Sequence, residues 1–591
     1  MHVVATAGHV DHGKSALVRA LTGIEPDRWE QERRRGMTID LGYAWTTLDS
    51  GEELAFVDVP GHQRFLGNML AGLGPAPAVV FVVAADEGWR QQSAEHLAAV
   101  DALGLEHGLL VVTRSDLADP APALADAGER LAATSLGPCE ALAVSARTGD
   151  GIPELRSALD RLVARLPRPV TDGRVRLWVD RAFTIRGSGT VVTGTLGEGT
   201  IRVGDQLEVA HRSVTVRGLQ SLERPRDSVP AVARVAVNLR GIRTDEVTRG
   251  DVLLTPGAWA PTATVDVRLG MPQSALPTHA MLHVGTVAVE ARIRPLSGDA
   301  ARLSLRDPLP LRAGDRAILR DPGAQRVLSG VLVVDTDPPA LRRRGAAARR
   351  GEELGSYTGA PDLEHEVSRR GAMRISEARS LGIDLGEEFS AAGRSVSRHG
   401  DWLVSPETWA SWRDALSTAL RRRAAEDPLD PTLTLEAARA AAGIPDRELL
   451  PEVAATAGAE VQAGRLGLVG VAPSLGERAE AGLRAIEARL AEEPFAAPEA
   501  RELEAAGLGP REIAAAARLG RILRLPDDVL LLPKAPALAM RTLARLPQPF
   551  TTSDARQALG STRRVVIPLL EHLDSRGWTR RLDGSHREVR R

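Results

Sequence analysis

The sequence is poor in cysteine, lysine and asparagine, since its 591 residues include one cysteine, Cys139, two lysines and two asparagines. A single cysteine excludes an internal disulfide bond and a zinc site built from several cysteines. Long apolar runs are also absent, because no stretch approaches the ~20 residues that a membrane helix needs. The first residues, MHVVATAG, lack the charged segment before an apolar core that marks a secretory leader. These absences favour a cytoplasmic protein with no membrane segment.

The scarcity of lysine draws attention to one position. Of 75 basic residues only Lys14 and Lys534 are lysine, which indicates a GC-rich, and hence bacterial, genome in which arginine has replaced lysine. A lysine retained against this trend is a candidate for a specific role. The formal net charge is -2, so a polyanionic partner would have to meet a local basic patch.

The length and the composition describe a folded protein of several domains. At roughly 150 residues per domain, the chain is expected to contain about four domains. Hydrophobic residues make up 43% of the chain and charged residues 26%, which is typical of globular rather than disordered proteins.

Lys14 lies in a segment that fits the phosphate-loop pattern G-x-x-x-x-G-K-[ST]. A predicted buried strand over residues 3–7 precedes the segment, and a predicted helix begins at Ser15. At such a turn, glycines let the backbone wrap a phosphate, Lys14 reaches the outer phosphates and Ser15 can bind Mg²⁺. The alternative is a glycine-rich turn with no ligand. The residues assigned to the loop are Gly8, His9, Val10, Asp11, His12, Gly13, Lys14 and Ser15.

Later motifs favour a nucleotide as the ligand. A predicted strand over residues 54–57 ends at Asp58, where a carboxylate can hold the Mg²⁺ shell, and Gly61 can donate its N–H to a γ-phosphate. Two further strands end in sequences that look like the guanine-reading motifs of a GTPase. The carboxylate of Asp116 can accept both the exocyclic amino group and the ring N–H of guanine, an adjacent pair of donors that adenine cannot offer. The residues assigned to the base are Thr113, Arg114, Asp116, Ser145, Ala146 and Arg147, with Arg114 where lysine is usual.

Between these motifs, residues 32–40 form a charged run that contains Thr38. By composition alone this run is a solvated loop. With its neighbours it resembles the first switch segment of a GTPase, in which Thr38 would close on Mg²⁺ and the γ-phosphate. The histidines of the phosphate loop and His62 resemble those of the translational GTPases. That resemblance implies a catalytic role for His62, which would position the attacking water.

Two β-rich regions follow, over residues 174–254 and about 264–334, with short alternating strands and glycine turns. The first region resembles the β-barrel second domain of elongation factor Tu and its relatives. Two barrels after a GTPase domain indicate a carrier of aminoacyl-tRNA. Two protein-docking modules are the alternative.

Helical patterns alternate with short strands in the last part of the chain. Its final segment is clearest, with predicted helices over 537–546, 552–559 and 562–576 and a hairpin over 578–589, the order of a winged helix. Arginines open the third helix and lie on the wing. We assign them to RNA binding rather than to a solvated helix face. They are Arg563, Arg564, Arg580 and Arg581.

One family joins these parts, because the chain resembles the bacterial selenocysteine-specific elongation factors, a Tu-like body of three domains followed by four winged helices. The resemblance is strongest in the GTPase motifs and over residues 559–581. It implies a monomer that binds GTP or GDP, with Mg²⁺ held by Ser15, Thr38 and Asp58. It also implies delivery of selenocysteyl-tRNA to the ribosome at in-frame UGA codons, and binding of a selenoprotein mRNA hairpin by the last winged helix.

The resemblance further implies a pocket for the selenocysteyl group. In the family an aspartate-arginine pair at the start of the first barrel and a later arginine surround the aminoacyl group, and the matching residues are Asp180, Arg181 and Arg234. Because a selenol is ionised near neutral pH whereas serine is neutral, clustered arginines favour the selenolate. The alternative is a surface salt bridge at the barrel rim.

The predicted fold is multidomain, with an α/β P-loop GTPase domain, two β-barrel domains and tandem α+β winged-helix domains. Two other functions remain open: another translational GTPase, which would not need four winged helices, and a dimeric DNA-binding regulator that only senses nucleotide. The predicted boundaries are 1–170 for the GTP-binding domain, 171–258 and 259–340 for the barrels, 341–360 for a basic linker, and 361–408, 409–474, 475–535 and 536–591 for the winged helices.

Overall fold

The computed structural model describes residues 1–590 apart from 27–39, 63–64, 186–188, 272–275, 324–325, 358, 361, 384, 386–394 and 463. The chain divides into two compact units, residues 1–366 with 373–390 and residues 367–372 with 391–591. Across the described residues, no helix combines the length and the apolar character that crossing a lipid bilayer requires.

The first domain alternates strands and helices: β1 (His2–Ala7), α1 (Lys14–Thr22), β2 (Gly42–Thr47), β3 (Glu53–Asp58), α2 (Leu66–Leu73), β4 (Ala78–Ala84), α3 (Gln91–Ala102), β5 (Gly108–Thr113), α4 (Ala121–Ala132), β6 (Glu140–Ala143) and α5 (Ile152–Arg165). The sheet order is β2-β3-β1-β4-β5-β6. Only β2 runs antiparallel to its neighbour, among the described strands of this sheet.

Side chains of this sheet enter two separate cores. Val3 and Ala5 belong to one buried cluster and Val4 to the other, because successive strand residues point to opposite faces. β4, with the sequence AVVFVVA, is buried along its whole length, as expected for a parallel strand covered on both faces. The parallel strands therefore end at one edge, where the predicted nucleotide motifs begin.

The next domain contains β7 (Arg176–Trp178), β8 (Arg181–Ile185), β9 (Gly189–Leu196), β10 (Thr200–Arg202), β11 (Gln206–Val209), β12 (Arg212–Ser221), β13 (Arg224–Arg226), β14 (Ser228–Pro230), β15 (Ala233–Arg240) and β16 (Val252–Leu254). Six of these strands pair in the order β11-β16-β7-β9-β15-β12, and the pairing of β12 with β11 closes the barrel. β8 lies outside this ring and pairs with β9.

A second closed barrel follows, with the order β17-β20-β19-β18-β21-β22. Its interior is filled by alternating apolar side chains such as Val265, Val267 and Leu303. The strands are β17 (Thr262–Leu269), β18 (His279–Val284), β19 (Val287–Pro295), β20 (Ala300–Leu309), β21 (Arg316–Arg320) and β22 (Val327–Asp335).

Part of the segment predicted as a basic linker is a packed helix, α6 (Ala346–Leu354). Its Arg350 is buried and donates to Asp266 at 2.8 Å and to Asp335. Asp266 also accepts a hydrogen bond from Arg302 at 2.6 Å. Arg350 therefore attaches α6 to the second barrel. The run of charged residues in the sequence does not reveal this contact.

The chain continues through α7 (Leu363–Arg370), β23 (Ala372–Arg374) and α8 (Ile375–Ser380). From residue 406 onward, three times in succession, helices are followed by a hairpin, the order of a winged helix. The elements are β24 (Ser397–His399), β25 (Trp402–Val404), α9 (Pro406–Glu426), β26 (Leu433–Thr434), α10 (Leu435–Ala442), α11 (Leu450–Thr456), β27 (Ala459–Gln462), β28 (Arg465–Leu468), α12 (Glu477–Glu492), α13 (Ala500–Ala505), α14 (Pro510–Arg518), β29 (Leu523–Leu525), β30 (Val529–Leu531), α15 (Ala535–Leu543), β31 (Phe550–Thr551), α16 (Thr552–Ala558), α17 (Arg563–Ser575), β32 (Thr579–Arg581) and β33 (His586–Val589).

The last two of these repeats share one hydrophobic core. Leu483 of α12 and Leu569 of α17 belong to the same buried cluster. A hydrogen bond also joins the two repeats, since the Ser561 hydroxyl donates to the carbonyl oxygen of Phe495 at 2.6 Å. Residues 477–590 are therefore one packed body. The predicted fold class, an α/β domain with two β-barrels and winged helices, is confirmed.

Candidate functional site

The phosphate loop joins the carboxyl end of β1 to the amino end of α1, and two glycines give it its path. Gly8 has a φ of 135° and Gly13 a φ of 81°, conformations that other residues rarely adopt. A Cβ on Gly8 would overlap the carbonyl oxygen of Val82, so only glycine fits there. The loop thus delivers the chain to the amino end of α1, where backbone N–H groups favour an anion.

Lys14 is held inside this loop. Its side chain is buried, and Nζ donates to the carbonyl oxygens of Gly8 at 3.1 Å and His9 at 2.9 Å. Gly61 comes from the other side, because a Cβ added to it would lie 2.7 Å from this Nζ and 2.5 Å from the Val10 nitrogen. The predicted γ-phosphate donor Gly61 and the loop lysine therefore adjoin.

Asp58 is fully buried at the end of β3. Its two carboxylate oxygens accept the Thr6 and Ser15 hydroxyls, each at 2.6 Å. Burial raises the pKa of Asp58, and the Lys14 ammonium and the two hydroxyl bonds oppose that shift. A hydroxyl and a carboxylate oxygen side by side are ligands that Mg²⁺ prefers, so Ser15 and Asp58 fit this ion. Thr38, the third predicted ligand, lies outside the described residues.

The predicted guanine-binding residues also come together. Asp116 accepts the Ser145 hydroxyl at 2.7 Å, and this bond is the main cause that lowers the pKa of the carboxyl. Thr113 donates to the carbonyl oxygen of His12 at 2.7 Å and so ties the end of β5 to the phosphate loop. A cavity of about 410 Å³ is lined by Gly13, Thr113, Arg114, Asp116, Ala146 and Arg147 among others.

Arg114, which replaces the usual lysine, is hydrogen-bonded to the phosphate loop. Its backbone is left-handed, with a φ of 56°. The guanidinium donates to Asp86 at 3.0 Å, to Glu87 at 2.9 Å and to the carbonyl oxygen of Asp11. The arginine thus reaches two carboxylates that the motifs did not single out and a carbonyl of the phosphate loop.

His62 lies directly after Gly61, half-buried, with its ring 6.1 Å from that of Phe65 between centroids. Its carbonyl oxygen accepts the Phe65 N–H at 2.9 Å. His62 therefore directly follows Gly61, the residue that contacts the phosphate loop.

Two residues of α3 that sequence analysis missed hold the phosphate loop in place. His96 accepts the Gly8 N–H on Nδ1 at 3.0 Å, and Gln92 accepts the Val10 N–H at 3.2 Å. Burial lowers the pKa of His96 to about 3, while a hydrogen bond to the Gly61 backbone opposes that shift. The spacing of four residues, which puts both polar side chains on one face of a helix, is the signal that could have found them.

His9, His12 and Glu87 bring potential metal-ligating atoms within 4.8 Å of one another. His12 is fully buried, and burial lowers its pKa to about 4. Glu87, however, lies 2.9 Å from a guanidinium nitrogen of Arg114 and 3.6 Å from one of Arg90. Because its carboxylate already meets two cations, we assign this cluster to the support of the loop.

Asp180 and Arg234 of the predicted selenocysteyl pocket form an ion pair against the first domain. Arg234 donates to Asp180 at 2.8 Å, and the two side chains are 13% and 6% exposed. The Arg234 guanidinium lies 3.9 Å from the ring centroid of Tyr43, whose hydroxyl donates to Asp180 at 3.3 Å. The salt bridge considered as the alternative therefore exists within the first barrel, but it packs against Tyr43 of the first domain and does not lie at an open rim.

Arg181 turns toward the residues that precede β2. It lies 2.9 Å from a carboxylate oxygen of Asp40 and donates to the carbonyl oxygen of Leu41 at 2.5 Å. Arg181 and Arg234 nevertheless line one cavity of about 240 Å³, whose other walls include Tyr43 and Phe183. The three predicted pocket residues are therefore brought together.

In the last winged helix, Arg563 and Arg564 begin α17, as predicted. Arg564 donates to the carbonyl oxygens of Ala497 at 3.2 Å and Pro498 at 2.9 Å, in the preceding winged helix. Arg563 is exposed. Arg564 is thus also a contact between two winged helices.

The wing arginines have partners of their own. Arg580 pairs with Glu588 at 2.6 Å across the hairpin. Arg581 donates to the carbonyl oxygens of Asp583 at 2.9 Å and Gly584 at 3.2 Å. Both side chains remain exposed.

Four family models match the chain. Residues 1–165 match the elongation factor Tu GTP-binding domain, and residues 189–254 match elongation factor Tu domain 2. Residues 266–340 match the β-barrel domain of selenocysteine-specific elongation factor, and residues 541–587 match a winged helix of elongation factor SelB.

Similar solved structures include a crystal structure of the bacterial selenocysteine-specific elongation factor EF-Sec. It is 24% identical, covers 100% of both chains and has a TM-score of 0.77, so the fold is shared. A crystal structure of elongation factor SelB from Methanococcus maripaludis with the GTP analogue GppNHp covers 57% of this chain and 79% of that one. Its identity is 24% and its TM-score 0.51.

Curated relatives with the name selenocysteine-specific elongation factor match at higher identity. Those from Escherichia coli and Desulfomicrobium baculatum are 37% and 34% identical, over 65% and 64% of this chain and 61% and 63% of their own length. The chain thus spans less than two thirds of these two relatives. The relative from Haemophilus influenzae is 32% identical over 71% of this chain and 69% of its own length. On these matches and this fold, the chain belongs to the family of selenocysteine-specific elongation factors.

Proposed function

We propose that this chain binds GTP, hydrolyses it to GDP and phosphate on the ribosome, and in its GTP form delivers selenocysteyl-tRNA to in-frame UGA codons marked by an mRNA hairpin. The observation that carries the proposal is the cavity that Arg181 and Arg234 line against the GTP-binding domain. A carrier of neutral aminoacyl groups does not need two cations there.

In the nucleotide complex, the loop from Gly8 to Ser15 surrounds the phosphates with its backbone N–H groups, except those of Gly8 and Val10, which His96 and Gln92 already accept. Lys14 meets the outer phosphates. Asp116 accepts the guanine N–H groups, and the bond from Ser145 orients its carboxylate. His62 orients the water that attacks the γ-phosphorus, while the bond from that phosphorus to the bridging oxygen breaks and GDP leaves.

Ser15, Asp58 and Thr38 are the proposed ligands of Mg²⁺. When bound, the ion neutralises charge on the β- and γ-phosphates. The chain's own part is to hold the Ser15 and Asp58 oxygens together in a buried position, where their 2.6 Å hydrogen bond supports this role. Because burial raises the pKa of Asp58, a cation beside it would favour the charged carboxylate.

The pocket arginines would separate two aminoacyl forms of one tRNA. The selenol of selenocysteine is ionised near neutral pH, so guanidinium N–H donors would bind it through charge-assisted hydrogen bonds. The serine hydroxyl of the precursor offers no charge. The modest volume of the cavity, about 240 Å³, suits a single small side chain.

The last winged helix is the proposed contact for the mRNA hairpin. RNA hairpins are recognised through their backbone and through bases splayed from the loop. The exposed arginines Arg563, Arg580 and Arg581 are suited to both kinds of contact. Arg564 would contribute from a position fixed by the preceding winged helix.

Filter binding of selenocysteyl-tRNA and seryl-tRNA at saturating GTP tests the proposal. We expect the selenocysteyl form to bind roughly 100-fold more tightly or better, at about 1.5–3 kcal/mol for each charge-assisted bond. Arg181→Ala and Arg234→Ala should each remove a large part of this difference and leave GTP affinity unchanged. Equal binding of the two forms by the unaltered protein would contradict the proposal.

A further inference from the structure

A cavity of about 750 Å³ lies in the packed body that the last two winged helices form. It is larger than the cavity at the guanine motifs, about 410 Å³, and the one that Arg181 and Arg234 line, about 240 Å³. Of the residues that line it, only Arg564 has a part in the proposed function. Small-molecule sites in proteins occupy roughly 300–1,000 Å³, so a nucleotide has a suitable size for this cavity.

The floor of the cavity is apolar. It consists of Leu503 of α13, Leu508 between α13 and α14, and Ile513 of α14, and all three side chains are buried. They belong to the hydrophobic cluster that joins the last two winged helices. Covering such a floor with another apolar surface is favourable, and every nucleic-acid base has a face of this kind.

Two arginines at the rim of the cavity keep their charge. The stem of Arg478 packs over Gly507, since a Cβ on this glycine would lie 3.1 Å from the arginine Cγ. The Arg478 guanidinium has no hydrogen-bond or ion-pair partner among the described residues. Arg564 donates to the carbonyl oxygens of Ala497 and Pro498, which are neutral acceptors. The rim therefore presents two cations to an anionic group.

The other polar residues of the rim supply acceptors. Arg524 is already neutralised, because it donates to Asp528 through two nitrogens, at 2.9 and 2.5 Å. Glu504 and Asp527 are exposed, and their carboxylates can accept N–H groups of a base or a ribose hydroxyl. Unpaired RNA bases are recognised by such means, through guanidinium planes that stack on them and polar groups that meet their edges.

We propose that this cavity binds one unpaired nucleotide of the mRNA hairpin, with its base on the apolar floor and its phosphate between Arg478 and Arg564. The inference rests on the proposed function, because it gives the RNA assigned to the last winged helix a second contact in the preceding one. Arg564 connects the two contacts, since it begins α17 and also lines the cavity.

The first test narrows the cavity without changing its charge. Ala500 is exposed at the start of α13 and lines the cavity, whereas Ala505 is exposed at the end of the same helix and is not one of the lining residues. Gel shifts measure the affinity of the full chain for a selenoprotein mRNA hairpin. Ala500→Phe should weaken binding roughly tenfold, the size of one lost base contact, and Ala505→Phe less than about twofold. Equal affinities of the two variants would overturn the proposal.

A second test identifies the nucleotide. Each unpaired nucleotide of the hairpin is replaced in turn by an abasic one. One of these replacements should weaken binding to the unaltered chain roughly tenfold but binding to Ala500→Phe less than about twofold, because in that variant the cavity is already filled. If every replacement has the same effect on both proteins, no base enters the cavity and the proposal is wrong.

The phosphate contact is tested with Arg478→Ala and its control, Arg501→Ala. Both arginines are exposed and have no described side-chain partner, but only Arg478 lines the cavity. Arg478→Ala should lower the salt slope of hairpin binding by roughly 0.7, and Arg501→Ala should leave it unchanged. The same change in both variants would reduce Arg478 to a general positive charge and overturn its assignment. The preference of the unaltered chain for this hairpin over a scrambled one reports separately on the proposed function.

Discussion

Lys14 and Arg564 are both cations in proposed binding regions, and the molecule holds them by different means. The carbonyl partners of Lys14 lie five and six residues away, within one loop. The carbonyl partners of Arg564 lie 66 and 67 residues away, in another winged helix. The nucleotide site is thus a property of a short segment, whereas the surface proposed to bind RNA depends on two domains packed together. Changes in the first region should act on chemistry, and changes in the second should act first on assembly.

The largest effect is expected for His62→Ala. Loss of a group that orients the attacking water should slow ribosome-stimulated GTP hydrolysis by roughly 10²–10⁴-fold. GTP affinity should stay within about twofold, because this histidine is not assigned to binding the phosphates or the base. Single-turnover hydrolysis with ribosomes measures the first quantity and equilibrium nucleotide binding the second. Unchanged stimulated turnover would remove His62 from the mechanism.

Lys14→Ala should weaken nucleotide binding itself. Removal of a buried cation that faces the phosphates costs about 2–5 kcal/mol, or roughly 30- to 5,000-fold in affinity. The chain supplies its own control, because Lys534 is the only other lysine and is exposed at the start of α15. Lys534→Ala should leave GTP affinity unchanged. Similar losses in both variants would indicate a non-specific effect of lysine removal.

The phosphate loop was predictable because each part of it is local. Gly8 and Gly13 need their backbone conformations, and Lys14 needs its place at the start of α1, so a fixed spacing records the geometry. Asp58 and Asp116 were predictable for a related reason, since parallel strands end at one edge of the sheet. The pattern needs no knowledge of distant parts of the chain.

Residues that act across the fold were not predictable in this way. His96 lies 88 residues from Gly8, to which it is hydrogen-bonded, and no local pattern records that contact. Arg350 lies in the segment predicted as a basic linker and Arg587 in the hairpin of the last winged helix, and both are buried against carboxylates. An arginine side chain can reach a partner far along the chain. The composition of the sequence alone therefore did not distinguish arginines available to RNA from arginines paired inside the protein.

The contact between the last two winged helices predicts how fragments behave. Residues 475–591 should unfold in one cooperative transition, because α12 and α17 belong to one core. Residues 536–591 alone expose that shared face and should be several kcal/mol less stable, at about 25 cal/mol for each Å² of apolar surface left in water. Urea titrations of the two fragments measure the difference. Equal stability would show that the last winged helix is independent of the one before it.

Arginine variants of the longer fragment sharpen the same comparison. Arg564→Ala removes two hydrogen bonds between the winged helices and should lower stability by about 1–3 kcal/mol. Arg563→Ala should leave stability unchanged, and if it meets a phosphate it should reduce the salt slope of hairpin binding by roughly 0.7–0.9. Gel shifts at two salt concentrations, beside urea titrations, separate the two roles. A loss of stability in Arg563→Ala, or none in Arg564→Ala, would reverse these assignments.

The smallest effect concerns acid and returns to the nucleotide region, where burial lowers the pKa of His96 to about 3 and that of His12 to about 4, from 6.5. Between those values and 6.5 the unfolded chain binds protons that the folded chain does not, so stability falls as the pH falls below about 6.5. Each histidine contributes a slope of about 1.4 kcal/mol per pH unit. Asp58, whose pKa burial raises, acts in the opposite direction, so the total slope does not isolate one group. His96→Gln should therefore make the free energy of unfolding depend less steeply on pH between pH 4 and 6, because about one proton fewer is taken up on unfolding. His107, a half-buried histidine of the same domain, provides the control variant His107→Gln. Urea unfolding of the nucleotide-free chain at several pH values measures the pH dependence of stability for both variants. An unchanged pH dependence in His96→Gln would mean that His96 is protonated in the folded protein.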